Sequence, residues 1–103
     1  MTKTAATVDY EGSYLLGEAD GEMWANHAHP NETQAMSMLQ AEEIGQRDVF
    51  GQENASWLRE QSDTYQQQDP HFDAAAYFEG FLASARRVRQ AFVFAAAGAR
   101  RGR

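Results

Sequence analysis

The sequence predicts an all-α fold, a small bundle of about four helices, and three observations carry that expectation. Residues 70–97 hold an apolar stripe at helical period, residues 31–34 form a helix-capping signature, and Phe50, Trp57, Leu58, Gln61 and Tyr65 share a helical face. The alternative is an α+β fold in which an N-terminal β-hairpin precedes three helices. At 103 residues the chain has no room for a second core. We read residues 1–98 as one helical domain and 99–103 as a basic C-terminal tail. A hydrophobic fraction of 43% places it among folding chains rather than disordered ones.

The first thirty residues admit two readings. Asp20-Gly21 is a hairpin signal that would pair Ser13–Ala19 with Glu22–Ala28. As a helix, the same stretch lines Tyr10, Tyr14, Gly17, Gly21, Ala25 and Ala28 along one side, with Trp24 at the margin. The helix is preferred because its pattern recurs later: Tyr14-x-x-Gly17-x-x-x-Gly21 mirrors Tyr77-x-x-Gly80-x-x-x-Ser84. Small residues four apart let two helix backbones approach closely. Gly17 and Gly21 are therefore expected to face Gly80 and Ser84.

After Pro30, Asn31-Glu32-Thr33-Gln34 reads as a capping box with Asn31 as N-cap, opening a helix to Ile44 that stops at Gly45. The Phe50–Tyr65 face implies a third helix ending at Gln66-Gln67-Gln68, separated from the second by a break between 45 and 52. Asp69-Pro70 then starts the longest helix, and Gly98 ends it. Its stripe comprises Ala74, Tyr77, Phe78, Phe81, Ala85, Val88 and Phe92. Trp24, Leu39, Trp57, Phe78 and Phe81 are the expected core. The last turns, Phe92–Ala97, are apolar all round and call for cover from the body or a partner.

Catalytic motifs are missing from the sequence. His27-x-His29, with His71, is the only hint of a metal site, and no third ligand stands at a recognised spacing. Glu42, Glu43, Glu53 and Glu60 suggest a carboxylate cage, but no Glu has a His three residues later, as a di-iron bundle requires. There is no phosphate-binding loop, dinucleotide fingerprint or nucleophile elbow. Cysteine is absent, which excludes disulfides, thiolate metal sites and Cys nucleophiles. The reading is a non-enzyme with no catalytic residue, no cofactor and no metal. A metal-dependent enzyme using His27 and His29 ranks a distant third among functions.

Charge is sorted along the chain. All fifteen Asp and Glu fall within residues 1–85, against only Lys3, Arg47 and Arg59. Residues 86–103 hold Arg86, Arg87, Arg89, Arg100, Arg101 and Arg103 and no acid, so the net charge of −6 conceals an acidic body with a basic end. Such a field governs partner choice and encounter rate. The leading expectation is a non-enzymatic interaction or regulatory protein. In its sharpest form it is an acidic inhibitor that imitates a phosphate backbone and occupies the channel of a nucleic-acid-handling protein, such as a nuclease or CRISPR complex. This is an analogy of composition. The expected partner surface is Glu42, Glu43, Asp48 and Glu53. The alternative is a nucleic-acid-binding accessory protein using Arg86, Arg87, Arg89, Arg100, Arg101 and Arg103 on phosphates. A homo-oligomer fits either reading.

Localisation is expected to be cytoplasmic. Met1–Tyr10 lacks the apolar stretch of a secretory signal, and the longest apolar run, Ala91–Ala97, is far shorter than the roughly 20 residues that span a bilayer.

Overall fold

A computed structural model describes residues 10–44 and 53–101, with side chains at 10–44 and 56–95. The described residues form five helices and no strand: α1 (Tyr10–His27), α2 (Pro30–Ser37), α3 (Ala41–Ile44), α4 (Glu53–Gln68) and α5 (Ala74–Arg101). The all-α expectation holds, and the hairpin alternative falls because Asp20-Gly21 lies inside α1. The break expected between 45 and 52, with Gly45 and Phe50, lies outside the described residues.

Two helices sixty residues apart form the spine. Helix α5 touches all the others, α1 most extensively. Ser13 pairs with Asp73, Gly17 with Tyr77 and Phe81, and Glu18 with Ser84, so contacts advance together and the two helices run parallel. The buried positions of α1 are Ser13, Gly17, Gly21 and Ala25, four small residues at four-residue spacing. Glycine is required here by proximity. A Cβ on Gly17 would overlap the Tyr77 carbonyl oxygen and lie 2.9 Å from the Phe81 nitrogen. One on Gly21 would stand 2.5 Å from the Phe81 oxygen, and one on Gly80 would overlap the Tyr14 carbonyl oxygen. Two buried serines lock the register: Ser13 Oγ accepts from Asp73 N at 2.9 Å, and Ser84 Oγ donates to Glu18 O at 2.7 Å. The expected meeting of Gly17 and Gly21 with the Gly80–Ser84 region is observed.

The helix starts differ from expectation in instructive ways. His29, not Asn31, caps α2. Its Nδ1 accepts from Asn31 N, its own N–H donates to Glu32 Oε1 at 2.9 Å, and Pro30 fills the first turn. A short break at Met38–Gln40 divides the single helix expected to reach Ile44. Helix α3 restarts where Gln40 N donates to Glu43 Oε1 at 2.7 Å. Asp69-Pro70 forms a turn, with Asp69 Oδ1 accepting from His71 N, and Asp73 caps α5 by accepting from Ala76 N at 3.1 Å. Proline before a turn satisfies the same local preferences as proline in a first turn, which is why the sequence misplaced this start by four residues. Gly98 does not end α5, which continues to Arg101. The boundary drawn at 98 is therefore no helix end.

The core sits between α5 and the α2–α4 layer. Met36, Ile44, Leu58, Phe72, Tyr77, Phe78, Phe81, Leu82 and Ala85 are buried together. Helix α5 is buried over most of its circumference from Ala76 to Ala85, because α1 takes one side and α2–α4 the other. Trp24 and Leu39 pack against this core half-buried. Trp57 does not belong to its centre: 36% of it stays exposed, and Leu58 takes the buried position beside it. Phe92 also departs from the expected stripe, being 55% exposed. The reason is length. Helix α5 has 28 residues and α1 has 18, and Ser13 in the first turn of α1 stands beside Asp73 at the start of α5, so α5 runs past the end of α1 by roughly 15–20 Å.

Candidate functional site

The acidic surface comes first. Helix α3 presents Glu42 to solvent and holds Glu43 half-buried, where it caps its own helix through Gln40 N. Asp48 lies outside the described residues, and so does the side chain of Glu53, which opens α4. The structure thus brings Glu42 and Glu43 into one helical turn. Other exposed acids are distributed over the body: Glu11 and Glu22 on α1, Glu32 on α2, Glu60 and Asp63 on α4, and Glu79 on α5.

The basic residues of the alternative surface are partly absorbed by the fold. Arg86 Nε donates to Ser37 O at 3.1 Å and its Nη2 to Leu39 O at 2.5 Å, satisfying carbonyls at the break between α2 and α3. Arg86 also lines a depression of about 150 Å3 with Glu42 and Glu79, so members of both expected surfaces meet there. Arg87 approaches Glu18 Oε2 at 3.7 Å and donates to Ser84 Oγ at 3.0 Å. Its 58% side-chain exposure keeps that ion pair weak. Arg89 lines a depression of about 220 Å3 with Ala25, Thr33, Val88 and Phe92. The side chains of Arg100, Arg101 and Arg103 lie outside the described set.

A second feature is assembled from three helices. Asp20, Met23, Trp24, His27 and Ala28 of α1 and the loop after it, Glu32 of α2, and Trp57 and Gln61 of α4 line an open cleft of about 440 Å3. Phe81 of α5 supports it, with ring centroids 5.6 Å from Trp24 and 6.0 Å from Trp57. At the inner edge Asp20 Oδ2 accepts two phenol hydroxyls, from Tyr65 at 2.8 Å and Tyr77 at 2.7 Å. Burial, then the hydrogen bond to Asp20 and its charge, push the Tyr65 phenol up to about 12. The same causes, with burial again foremost, raise Tyr77, which is fully buried. Both phenols are held as neutral donors to a carboxylate. The available signal was the shared face of Gln61 and Tyr65, but only the α1–α5 register shows that Asp20 faces it.

His27 and His29 serve chain geometry. His27 Nδ1 donates to Met23 O at 2.8 Å, closing the last turn of α1, and His29 caps α2. Among the described residues no three His, Asp or Glu side chains are grouped to hold a metal ion. Among them, too, no helix is long and apolar enough to cross a membrane. Comparison with protein-family models, curated proteins and solved structures finds no match, so the geometry alone must carry a functional reading.

Proposed function

We propose that this protein is a non-enzymatic interaction protein whose acidic helical body engages a basic face of a partner, in the sharpest form the nucleic-acid channel of a nucleic-acid-handling protein, which it inhibits. The observation that carries the reading is the spread of exposed acids: Glu22, Glu42, Glu60 and Asp63 stay exposed on three helices, while Arg86 of the basic set donates to the carbonyls of Ser37 and Leu39. Solvated carboxylates on a rigid scaffold attract a cationic surface at long range and give binding a strong salt dependence.

The test is affinity capture from the source cell, followed by salt titration of binding to the captured protein and to DNA. Replacing Glu42, Glu60 and Asp63 together by Lys is expected to weaken partner binding by at least about tenfold and to flatten its salt dependence. Deleting residues 100–103 is expected to leave it within about twofold, since the proposed contact is made by carboxylates and this segment contains none. Tight DNA binding that disappears with this deletion would replace the proposal by the direct nucleic-acid-binding alternative.

A further inference from the structure

The chain has only two tryptophans, 33 positions apart in sequence, and both line the same cleft. Both pack against the core on one side and keep an edge towards the cleft on the other. The buried positions nearby are filled by Phe81 and Leu58, while Trp57 stays 36% exposed and Met23 beside it is 62% exposed. Both indoles rest against the Phe81 ring, which is itself fully buried, so the aromatic walls are held in place before any ligand arrives.

Among the described residues, the acidic and basic side chains that line the cleft, histidine aside, are carboxylates. The described lining includes the carboxylate of Asp20, whose Oδ2 also takes the Tyr65 and Tyr77 hydroxyls, that of Glu32, whose Oε1 also takes His29 N, and the amide of Gln61, with no Lys or Arg among the described residues. His27 points Nδ1 back to the Met23 carbonyl. The faces of indole rings are negative, and tryptophan is the strongest aromatic partner for a cation. A cleft of about 440 Å3 lies within the roughly 300–1,000 Å3 of ligand sites. Apolar walls, preset indoles and carboxylates at the edge together match a flat cation with N–H groups along its rim.

We propose that the cleft receives the guanidinium of an arginine side chain from a basic protein partner, stacked against Trp24 or Trp57 with its N–H groups directed to Asp20 and Glu32. This rests on the acidic-body reading above and names the anchor within it. Arginine is favoured over lysine because a planar guanidinium stacks on an aromatic face while donating in its own plane, which a compact ammonium does not do. The methylene stem of the arginine would lie along Met23 and Ala28, which the cleft places next to the indoles.

The two tryptophans make the test direct, since intrinsic tryptophan emission reports this cleft and nothing else in the chain. The intact protein is titrated with a triarginine peptide and a trilysine peptide at low salt. A saturable emission change is expected for triarginine, with affinity several-fold above trilysine. Trp57→Leu is expected to weaken triarginine binding about tenfold, read by calorimetry. Glu32→Gln is expected to weaken it about threefold, because glutamine keeps the capping contact to His29 N while removing the charge. Circular dichroism melts check that both variants fold. Glu42→Gln, outside the cleft, is expected to change affinity less than about twofold. Equal binding of the two peptides, or binding unaffected by both Trp57→Leu and Glu32→Gln, overturns the cleft. If in that case the triple lysine reversal still abolishes partner binding, the acidic surface stands without this anchor. No binding of either peptide also overturns the cleft, and the partner titration then decides the acidic surface independently.

Discussion

Asp20 shows how a residue can be read correctly as polar and wrongly in its role. Followed by glycine, it has the local chemistry of a two-residue hairpin turn. In the structure it sits in mid-helix and accepts hydrogen bonds from Tyr65 and Tyr77, 45 and 57 positions away. No local pattern encodes that convergence, because it arises from the α1–α5 register. It has a measurable pH consequence. The folded-state Tyr65 phenol is raised from the ordinary value of 10 to about 12, so folding favours its protonated form. That contribution is complete below pH 10 and is lost as pH rises towards 12, and Tyr77 acts with the same sign. Tyr65→Phe is expected to be less stable near neutrality by about 1–2 kcal/mol, for the lost bond to a charged acceptor. It is also expected to lose stability less steeply than wild type between pH 10 and 12. Urea unfolding over a pH series checks both statements.

At the scale of elements, the α1–α5 pair was the most legible part of the fold. The repeated Tyr-x-x-small-x-x-x-small pattern encodes a close helix contact directly, since the required residues are those that lack bulk. Gly17→Ala and Gly80→Ala each place a methyl carbon against a carbonyl oxygen of the other helix. Backbone cannot rotate away as a side chain can. Each substitution is expected to destabilise by about 1–3 kcal/mol, despite the better helix propensity of alanine. Thermal melts of the two variants, which should not rise above wild type, test the point. The α2–α3 break and the true caps at His29 and Asp73 were less legible. Several polar residues in each stretch satisfy capping chemistry equally, and Arg86, reaching from α5, supplies the carbonyl partners that allow the break. Trp57 was misplaced for a related reason: adjacent Trp57 and Leu58 both fit an apolar face, and periodicity does not say which of them the neighbouring helices cover.

For the whole molecule, the sequence revealed the sorting of charge but not where it would be used inside the fold. The acid-rich body and arginine-rich end are evident from composition. The use of Arg86 and Arg87 within the structure, and the cleft assembled from three helices, appear only once the helices are placed. The overhanging end of α5 gives a further check at this scale. Phe94 is 79% exposed beyond the reach of α1. Phe94→Gln is expected to shift unfolding free energy by no more than about 0.5 kcal/mol, measured by denaturant titration. A larger loss would mean that another copy or segment covers this end. The parallel pairing of α1 and α5 also bears on how the protein is made. During synthesis α1 leaves the ribosome with Gly17 and Gly21 weakening it, and its partner surface is not yet translated. The two helices that touch most cannot meet until the chain between them has been produced. Assembly is therefore expected to occur late and as one cooperative event, leaving nascent α1 dependent on the solubility of its exposed acids until Gly80 arrives.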